Sequence, residues 1–309
     1  MINISLALIR AARPVHWVKN LSLFAAIVFS GMLLEKALFN EVIVAFLSFN
    51  LTTSATYIFN DIFDAKLDRL HPVKRKRPIA SGELPIVIAF GAAAVLALFS
   101  LYISYNLNFI FYIITLSYLV TQILYSLYLK NIPVIDILII ASGFIMRVYA
   151  GAFLINAHLS VWFLLCVVSV ALFLASGKRR SELNILDNTN VTRKSLTKYK
   201  KELLNSYVTM FGNAAWMSWA LFTFFESPRA SLPVWLMLAE VSRTTTINKL
   251  LMVTIPIVIF GIMRYEHLIF QGKSERPEKL LLTDPFLTVA IGMWVVIVVY
   301  IFYGGVAIF

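Results

Sequence analysis

The sequence predicts an all-α protein that crosses a membrane many times, and three observations lead to that prediction. Hydrophobic residues fill 60% of the 309 positions and charged residues only 14%, and the mean hydropathy of +0.82 lies outside the range of soluble domains. The apolar blocks run about 17 to 25 residues, the length that a helix needs to cross the hydrocarbon core. They lack the alternating pattern of a membrane β-barrel. We therefore expect helical spans.

Nine spans are predicted, and no linker, internal repeat or low-complexity segment divides them. Residues 84–129 carry no charge, and a polar break at Asn106 and Asn108 splits this stretch into two spans joined by a tight turn. Residues 1–309 are therefore predicted to form a single transmembrane domain. The predicted spans cover residues 18–34, 40–60, 85–104, 108–129, 132–155, 159–177, 204–225, 249–265 and 286–308.

The distribution of Lys and Arg predicts how the spans are oriented, because basic residues near span ends are retained in the cytoplasm. With the N-terminus inside, basic clusters at 66–77 and 178–201 lie on the cytoplasmic side. The opposite side then holds only Lys36, Arg229, Arg243 and Lys249. We expect a multi-pass protein of the lipid bilayer with a cytoplasmic N-terminus, and nothing in the sequence suggests a nucleic acid partner.

The most unusual stretch is NDIFDAKLDRLHPVKRKRPIASG, residues 60–82, which concentrates acids and bases in an apolar chain. If the second span continues as a helix, Asp61, Asp64 and Asp68 lie within roughly a 60° arc, and Asn60 borders the same face. Three crowded carboxylates repel one another, and a divalent cation relieves that repulsion. Mg²⁺ prefers oxygen ligands and is commonly held by one or two carboxylates with substrate phosphates. We predict that these four residues form a Mg²⁺ site and that the three aspartates are catalytic.

The basic run that follows offers charged donors for phosphate oxygens, and Lys74, Arg75 and Arg77 are predicted to bind substrate phosphates. A basic run taken alone would most often be an anchor that faces anionic lipid headgroups. The aspartates do not fit that explanation, because acidic residues contribute little to topology. Together the two halves of the stretch predict a Mg²⁺–diphosphate site at the cytoplasmic mouth of a helical bundle.

Six stretches, in order along nearly the whole chain, carry a family resemblance: RPVHWVKN (13–20), the acidic stretch at 60–82, YSLYLKNIPVIDI (125–137), GFIMRVYAG (143–151), GKRRSEL (177–183) and MRYEH (263–267). Through them the chain resembles the UbiA-type intramembrane prenyltransferase superfamily and, more narrowly, the bacterial decaprenyl-phosphate phosphoribosyltransferases. The resemblance implies a UbiA-type bundle of about nine transmembrane helices, with an active-site cavity on the cytoplasmic side of a bacterial inner membrane.

The chain departs from typical superfamily members in the loop after the sixth span. Typical members carry a second aspartate-rich motif there, whereas this chain has Lys178, Arg179 and Glu182, with only Asp187 beyond. A basic loop suits a second phosphorylated group better than additional metal. The resemblance therefore implies phosphoribosyl diphosphate as donor and a polyprenyl phosphate lipid as acceptor, with Lys178 and Arg179 on phosphates and Glu182 in the pocket.

Further residues are candidates for the same site. Lys19 is predicted to reach a phosphate, and snorkelling to the interface is its alternative role. Asp136 is predicted to touch the donor sugar or the metal shell, since ionisable groups inside a span normally face the bundle interior. Tyr125 and Tyr128 either contact the donor or belong to the aromatic belt. The family match adds Asn20 to the pocket, whereas Arg147 is interpreted as tying helices together through hydrogen bonds.

The predicted reaction is Mg²⁺-dependent transfer of 5-phosphoribose to the lipid phosphate with release of diphosphate, a step that in this family feeds arabinose donors for cell-envelope polysaccharides such as arabinogalactan. One alternative is transfer of a prenyl group from a prenyl diphosphate to an aromatic or other polar acceptor. A secondary transporter is the alternative from another class, but transporters place coupling residues near the bilayer midplane, and here the acids cluster at one end of a span. A homo-oligomer is possible.

Overall fold

A computed structural model of the chain describes residues 4–71, 73–186, 198–226, 245–271, 280 and 283–304. These residues are helical or lie in turns, and they include no strand. The chain divides into two compact units. The first comprises Met1–Ile27, Leu34–Ala157 and Leu186–Tyr199, and the second comprises Val28–Leu33, His158–Ile185 and Lys200–Phe309. Each unit is described by itself, and the assignment of residues 1–309 to one domain stays a prediction.

Helices follow one another along the whole described chain. The elements are α1 (Ile4–Ala12), a 3₁₀ helix (Pro14–Phe24), α2 (Ala25–Phe29), α3 (Lys36–Leu70), α4 (Pro78–Ser81), α5 (Ile86–Leu107), α6 (Phe109–Leu127), α7 (Ile135–Leu154), α8 (Val161–Leu186), α9 (Lys201–Phe225), a second long 3₁₀ stretch (Thr245–Thr254), α10 (Ile255–Phe270) and α11 (Pro285–Tyr303), with short 3₁₀ turns at Lys74–Lys76 and Leu129–Asn131.

The predicted all-α membrane class is confirmed, but the count of nine spans is not. Seven helical stretches in the described part of the chain are long and apolar enough to cross a membrane. They match the second to sixth, the eighth and the ninth predicted spans. The seventh predicted span is a helix of 25 residues, α9, but it is not among the seven, because polar residues such as Glu202, Asn205 and Asn213 lower its hydropathy.

The first predicted span, 18–34, is not a membrane-length α-helix. Its place is taken by the 3₁₀ helix Pro14–Phe24 and the short α2, which together form an apolar helix below spanning length. The chain then turns at Gly31, whose φ of 77° is accessible to glycine without a steric penalty.

Packing against neighbouring helices accounts for the 3₁₀ conformation. A 3₁₀ helix has three residues per turn, so every third side chain lies in one row. The row Trp17, Asn20 and Leu23 faces the neighbours: Trp17 Nε1 donates to Ser54 Oγ at 3.1 Å, and Asn20 and Leu23 are fully buried. Val15 on another row is 61% exposed. Three residues per turn therefore keep one side of the segment continuously in contact with α3 and α7.

Two local predictions are confirmed by the helix ends. The charge-free stretch breaks at Asn108, whose side-chain oxygen accepts hydrogen bonds from the backbone N–H groups of Ile110 and Phe111 and so caps α6. The second span continues without interruption through the aspartates to Leu70. At about 1.5 Å per residue, α3 is about 52 Å long, so it exceeds the hydrocarbon thickness of about 30 Å.

The second unit is built from α8, α9, α10 and α11 around a core that includes Phe173, Val208 and Ile269. Its helix ends are tied by a two-point ion pair. Arg264 donates from Nε to Asp284 Oδ1 at 3.1 Å and from Nη2 to Oδ2 at 2.6 Å. Asp284 also caps α11 by accepting the backbone N–H of Leu287. The pair therefore links α10 to the start of α11.

Close backbone contact at Gly151 is expected to be sensitive to substitution. A Cβ at this position would lie 2.1 Å from the carbonyl oxygen of Leu23, so the 3₁₀ helix would have to move away from α7. We expect Gly151→Ala to lower the free energy of unfolding in detergent by about 1–3 kcal/mol, as overpacking does. Gly91→Ala is the matched control, because a Cβ there meets nothing within 4 Å and should be neutral or stabilising by up to about 1 kcal/mol. If the two substitutions change the free energy of unfolding equally, the close contact between Gly151 and the Leu23 carbonyl is contradicted.

Candidate active site

The three predicted aspartates lie at the end of α3 and are largely removed from solvent. Asp61 is 2% exposed and Asp68 4% exposed, and the side chain of Asp64 is 14% exposed. Helical spacing places them on one face, as the sequence predicts. Three neighbouring carboxylates held this far from water need counter-charges close by.

Two arginines neutralise Asp61 and Asp68. Arg77 Nη1 donates to Asp61 Oδ1 at 3.0 Å and to Asp68 Oδ2 at 2.6 Å. Arg13 Nη2 donates to the same Asp61 oxygen at 2.5 Å, and its guanidinium lies over the ring of Tyr57 at 5.2 Å from the centroid. Because one carboxylate oxygen accepts from two guanidinium groups, Asp61 is the centre of this ion-pair network.

Asp64 has a separate pair of partners. Lys130, from the Leu129–Asn131 turn, forms an ion pair with Asp64 Oδ1, and only 11% of the lysine side chain is exposed. Asn60 Nδ2 donates to Asp64 Oδ2 at 3.1 Å. Within the described residues, the three carboxylates of α3 thus meet three cations, Arg13, Arg77 and Lys130.

The turn after α3 explains why Arg77, and not its basic neighbours, reaches the acids. Residues Lys74–Lys76 form a single 3₁₀ turn, and Pro78 begins α4 immediately afterwards. Arg69 Nε donates to the carbonyl of Ala80 at 3.2 Å, which folds α4 back against α3. Buried apolar residues from α1, α3, α4 and α5 pack beneath this turn. The chain reversal therefore points Arg77 at the aspartates.

Lys74 and Arg75 of the same turn contact none of the three carboxylates through a hydrogen bond or ion pair. Lys74 is half-buried and has its own interactions, and Arg75 is exposed. Of the three phosphate-binding residues predicted in this run, Arg77 is the one that hydrogen-bonds to the carboxylates among the described contacts. The phosphate role of all three stays a prediction.

The 3₁₀ helix contributes a second row of polar side chains to this side of the first unit. Arg13, His16 and Lys19 are spaced by three residues and so lie along one edge. The His16 ring packs on Tyr57, with centroids 5.1 Å apart, beside the Arg13 guanidinium. Arg13 has a φ of 54°, uncommon for a residue other than glycine. Lys19, a predicted phosphate contact, is half-buried on this row.

The oxygen atoms at the end of α3 fit a hard divalent cation. Asp61 Oδ2, Asp68 Oδ1 and the amide oxygen of Asn60 accept no hydrogen bond from the described residues. Among all the residues that the structure describes, no three His, Cys, Asp or Glu side chains lie close enough together to bind a metal ion by themselves. Mg²⁺ does not require such a cluster, because it usually retains waters and takes one or two protein carboxylates with substrate oxygens. The donor set therefore suits Mg²⁺ shared with a phosphorylated substrate.

Asn20, a predicted pocket residue, lies in a buried polar network around Arg147. The guanidinium donates from Nε to Asn20 Oδ1 at 2.6 Å, from Nη2 to the Tyr118 hydroxyl at 2.9 Å, and from Nη1 to the carbonyl of Gly143. Asn20 Nδ2 donates onward to Asn50 Oδ1 at 2.6 Å. These bonds join the 3₁₀ helix, α3, α6 and α7, in agreement with the structural interpretation of Arg147.

The remaining predicted residues of the first unit differ in accessibility. Tyr125 is buried, whereas Tyr128, the residue after α6, is 69% exposed. Asp136 is fully buried at the start of α7, and its Oδ1 accepts the hydroxyl of Tyr199 at 2.7 Å. Because the Asp136 carboxylate is fully buried and bonded to Tyr199, a donor in solvent has no access to it in this structure. The predicted contact of Asp136 with the donor stays a prediction.

The predicted residues of the second unit lie near the end of α8. Arg179 is fully buried and forms an ion pair with Glu182, three residues later, while Lys178 is half-buried. The neighbouring Arg180 donates from Nε to Asn205 Oδ1 at 2.5 Å, which fixes the end of α8 to α9. Asp187 lies outside the described residues.

Arg13 and Lys130 are the two site residues that the sequence reasoning missed. They lie 48 and 66 residues from their aspartate partners, so local periodicity gives no indication of either contact. Both fall inside stretches that carry the family resemblance, RPVHWVKN and YSLYLKNIPVIDI. That shared location was the signal available for finding them.

Comparison with known proteins places the chain among membrane transferases. Residues 22–240 match the UbiA prenyltransferase family. The chain is 36% identical over 298 residues to a decaprenyl-phosphate phosphoribosyltransferase of Mycolicibacterium smegmatis, covering 95% of this chain and 91% of the relative. It is 34% identical over 310 residues to the protein of that name from Corynebacterium glutamicum, covering 97% and 88%.

A solved structure shares the fold at low sequence identity. The UbiA homolog from Archaeoglobus fulgidus bound to DMAPP and Mg²⁺ superimposes with a TM-score of 0.68 at 18% identity, covering 98% of this chain and 99% of that one. The predicted resemblance and the UbiA-type fold are thereby confirmed.

Loss of Arg77 should destabilise the acidic end of α3. In Arg77→Gln, Asp68 loses its arginine and Asp61 retains only Arg13, so we expect the free energy of unfolding in detergent to fall by about 1–3 kcal/mol. Lys76→Gln removes the same charge from an exposed neighbour and should change it by less than about 0.5 kcal/mol. If both variants unfold like the parent protein, the ion pairs of Arg77 do not contribute to stability.

Proposed function

Since the chain belongs to the UbiA prenyltransferase family, we propose that it transfers 5-phosphoribose from phosphoribosyl diphosphate to a polyprenyl phosphate in the membrane, with release of diphosphate. Relatives that span nearly its full length carry the name decaprenyl-phosphate phosphoribosyltransferase. The chain is then a pentosyltransferase. The bond from ribose C1 to the diphosphate oxygen breaks, and a bond from C1 to an oxygen of the lipid phosphate forms.

The mixed acidic and basic end of α3 is the observation that carries this proposal. Carboxylates alone would suit a metal, and cations alone would suit an anionic lipid surface. Here Asp61 and Asp68 pair with Arg13 and Arg77 in one network, and Asp64 pairs separately with Lys130 on the same helix face. A complex of diphosphate with a divalent cation carries negative and positive charge. It is therefore complementary to a site that contains both cations and carboxylates.

Each group of residues has a distinct part in the proposed reaction. Asp61, Asp64 and Asp68, with Asn60, would hold Mg²⁺, which when bound supplies Lewis-acid neutralisation of the charge that grows on the leaving diphosphate. Arg13, Arg77 and Lys130, with Lys19, would donate hydrogen bonds to the phosphate oxygens of the donor. The lipid phosphate is already an anionic nucleophile and needs no strong general base. Catalysis then rests on positioning and electrostatics.

The membrane setting follows from the two substrates. We propose that the N-terminus and the end of α3 face the cytoplasm of a bacterial inner membrane, as the Lys and Arg distribution predicts. The water-soluble donor then approaches from the cytoplasm while the acceptor reaches the site within the bilayer. The product would supply arabinose donors for the cell envelope, as in the family that the sequence resembles. A homo-oligomer stays a prediction.

The second unit favours this reaction over prenyl transfer to an aromatic acceptor. The end of α8 carries a half-buried Lys178 and the buried Arg179 and Arg180, where typical superfamily members carry a second aspartate-rich motif. Basic residues suit the 5-phosphate of a phosphoribosyl donor or the phosphate of the acceptor. Prenyl transfer remains the second candidate, because it is the activity that gives the broader family its name.

The two candidates are separated by a product assay. Purified protein with Mg²⁺ is incubated with phosphoribosyl diphosphate and polyprenyl phosphate, and separately with prenyl diphosphate and an aromatic acid. Mass spectrometry of the lipid extract should show phosphoribosyl polyprenyl phosphate in the first reaction and no prenylated acid in the second. The reverse pattern would establish the prenyltransferase.

Asp64→Asn is the control that ties activity to the acidic face. It retains the shape of the side chain while removing a charge, so we expect turnover to fall at least about 100-fold with the protein still folded. Glu83→Gln removes a charge from a half-buried acid that pairs with the exposed Arg10, and activity within about twofold of the parent is expected. Full activity in Asp64→Asn would remove the metal role of this residue.

Metal removal should weaken donor binding independently of turnover. In isothermal titration without acceptor, we expect chelation of divalent cations to raise the Kd for phosphoribosyl diphosphate at least about tenfold, since the metal would link the protein carboxylates to the diphosphate oxygens. Restoring Mg²⁺ should return the original Kd. Equal affinity before and after chelation would contradict metal-mediated binding.

A further inference from the structure

The backbone at Val134 is in an unfavourable conformation. Its φ of 68° and ψ of −48° lie near the rare γ-turn with positive φ, and a β-branched residue rarely adopts positive φ. The position directly precedes α7, and its carbonyl accepts the backbone N–H groups of Ile137 and Leu138. Such strain persists only where surrounding contacts impose it, and it concentrates at functional sites.

The hydroxyl of Tyr199 bonds both to Val134 and to Asp136, two residues later. It accepts the backbone N–H of Val134 and donates to Asp136 Oδ1 at 2.7 Å. Asp136 is fully buried and Tyr199 is 7% exposed, so water competes little for these bonds. One side chain thus holds both the strained residue and the first buried acid of α7.

The same turn carries Lys130. Three residues separate Lys130 from Val134, and the connection is short and hydrogen-bonded. The backbone N–H of Asn131 donates to Tyr128, and that of Ile132 donates to Leu129. Asp136 N–H donates back to the carbonyl of Ile132 at 3.1 Å. The backbone between Lys130 and α7 therefore has little freedom once Val134 is held.

We propose that Tyr199 and Asp136 are positioning residues: they hold the Val134 turn and thereby place the ammonium group of Lys130 against Asp64. The proposal rests on the proposed function in so far as Lys130 belongs to the phosphate-binding set. It gives Asp136 a role through Tyr199, in place of the donor contact that the sequence predicts. The sequence position of Tyr199, two residues before α9 begins, gives no indication of this role.

Tyr199→Phe tests the proposal, with Tyr149→Phe as its matched control. Tyr149 lies on α7 and stacks on Phe153, and its hydroxyl bonds to no described residue. Hydrogen exchange should show the amides of residues 129–136 exchanging at least about tenfold faster in Tyr199→Phe than in the parent, because the hydroxyl fixes the turn. Tyr149→Phe should leave them unchanged. Unchanged exchange in Tyr199→Phe overturns the proposal, whatever the enzyme's activity.

Kinetics then distinguish positioning from a merely structural role. Tyr199→Phe should raise KM for phosphoribosyl diphosphate about five- to tenfold, as loss of one charge-assisted hydrogen bond does, with kcat within about threefold. Tyr149→Phe should change neither. Faster exchange without a change in KM shows that the turn does not position Lys130, and overturns the proposal.

The strain at Val134 provides a coupling test. Glycine adopts positive φ without a side-chain penalty, so Val134→Gly should keep the turn with less help from Tyr199. In that background, Tyr199→Phe should raise KM by no more than about twofold, and a double-mutant cycle measures the difference. The same increase in both backgrounds shows that the hydroxyl does not act through Val134.

Two substitutions of Asp136 separate the positioning role from a direct contact. Asp136→Asn retains an oxygen that accepts the Tyr199 hydroxyl and should stay within about threefold of the parent in KM, whereas Asp136→Leu should match Tyr199→Phe. A large loss in Asp136→Asn with unchanged exchange would favour the donor contact. If the parent protein forms no phosphoribosyl lipid, the proposed function fails, and the exchange measurements still decide whether the turn is held by Tyr199.

Discussion

Neutralisation of the three largely buried carboxylates at the end of α3 is the constraint on which the first unit depends. Each counter-charge comes from a different segment: Arg13 precedes the 3₁₀ helix, Arg77 lies in the turn after α3, and Lys130 follows α6. Since a buried acid without a partner is costly, these segments are held close to one helix face. Backbone conformations that are uncommon for residues other than glycine, such as the positive φ of Arg13, occur in the segments that supply these cations.

Features that depend on local periodicity were predictable from the sequence. The spacing of the aspartates predicts a shared helical face, and α3 continues through them as a helix. The polar break at Asn108 predicts a turn, and its side chain caps the next helix. Hydropathy located seven of the spans, because a membrane imposes length and apolarity on each one separately. The family resemblance likewise rests on contiguous stretches.

Features that depend on distant contacts were not predictable. Nothing local indicates that Lys130 meets an acid 66 residues earlier, or that Tyr199 bonds to Asp136 across 63 residues. Apolar length predicts a membrane-spanning helix at residues 18–34, whereas contacts with α3 and α7 stabilise three residues per turn over Pro14–Phe24. Of the four consecutive basic residues, Arg77 bonds to the aspartates because the backbone reverses direction between α3 and α4. The run of charges alone does not indicate which of the four will do so.

The unbroken length of α3 links the chemistry to the lipid. The helix that crosses the hydrocarbon also carries the acids, and no hinge in its 35 residues separates the two parts. A helix longer than the bilayer accommodates thinner or thicker membranes by tilting. Any such tilt moves the acidic end of α3 relative to the lipid headgroups. Under the proposed function, membrane thickness, which acyl-chain length sets, would thereby change how the site meets the phosphate of its lipid acceptor.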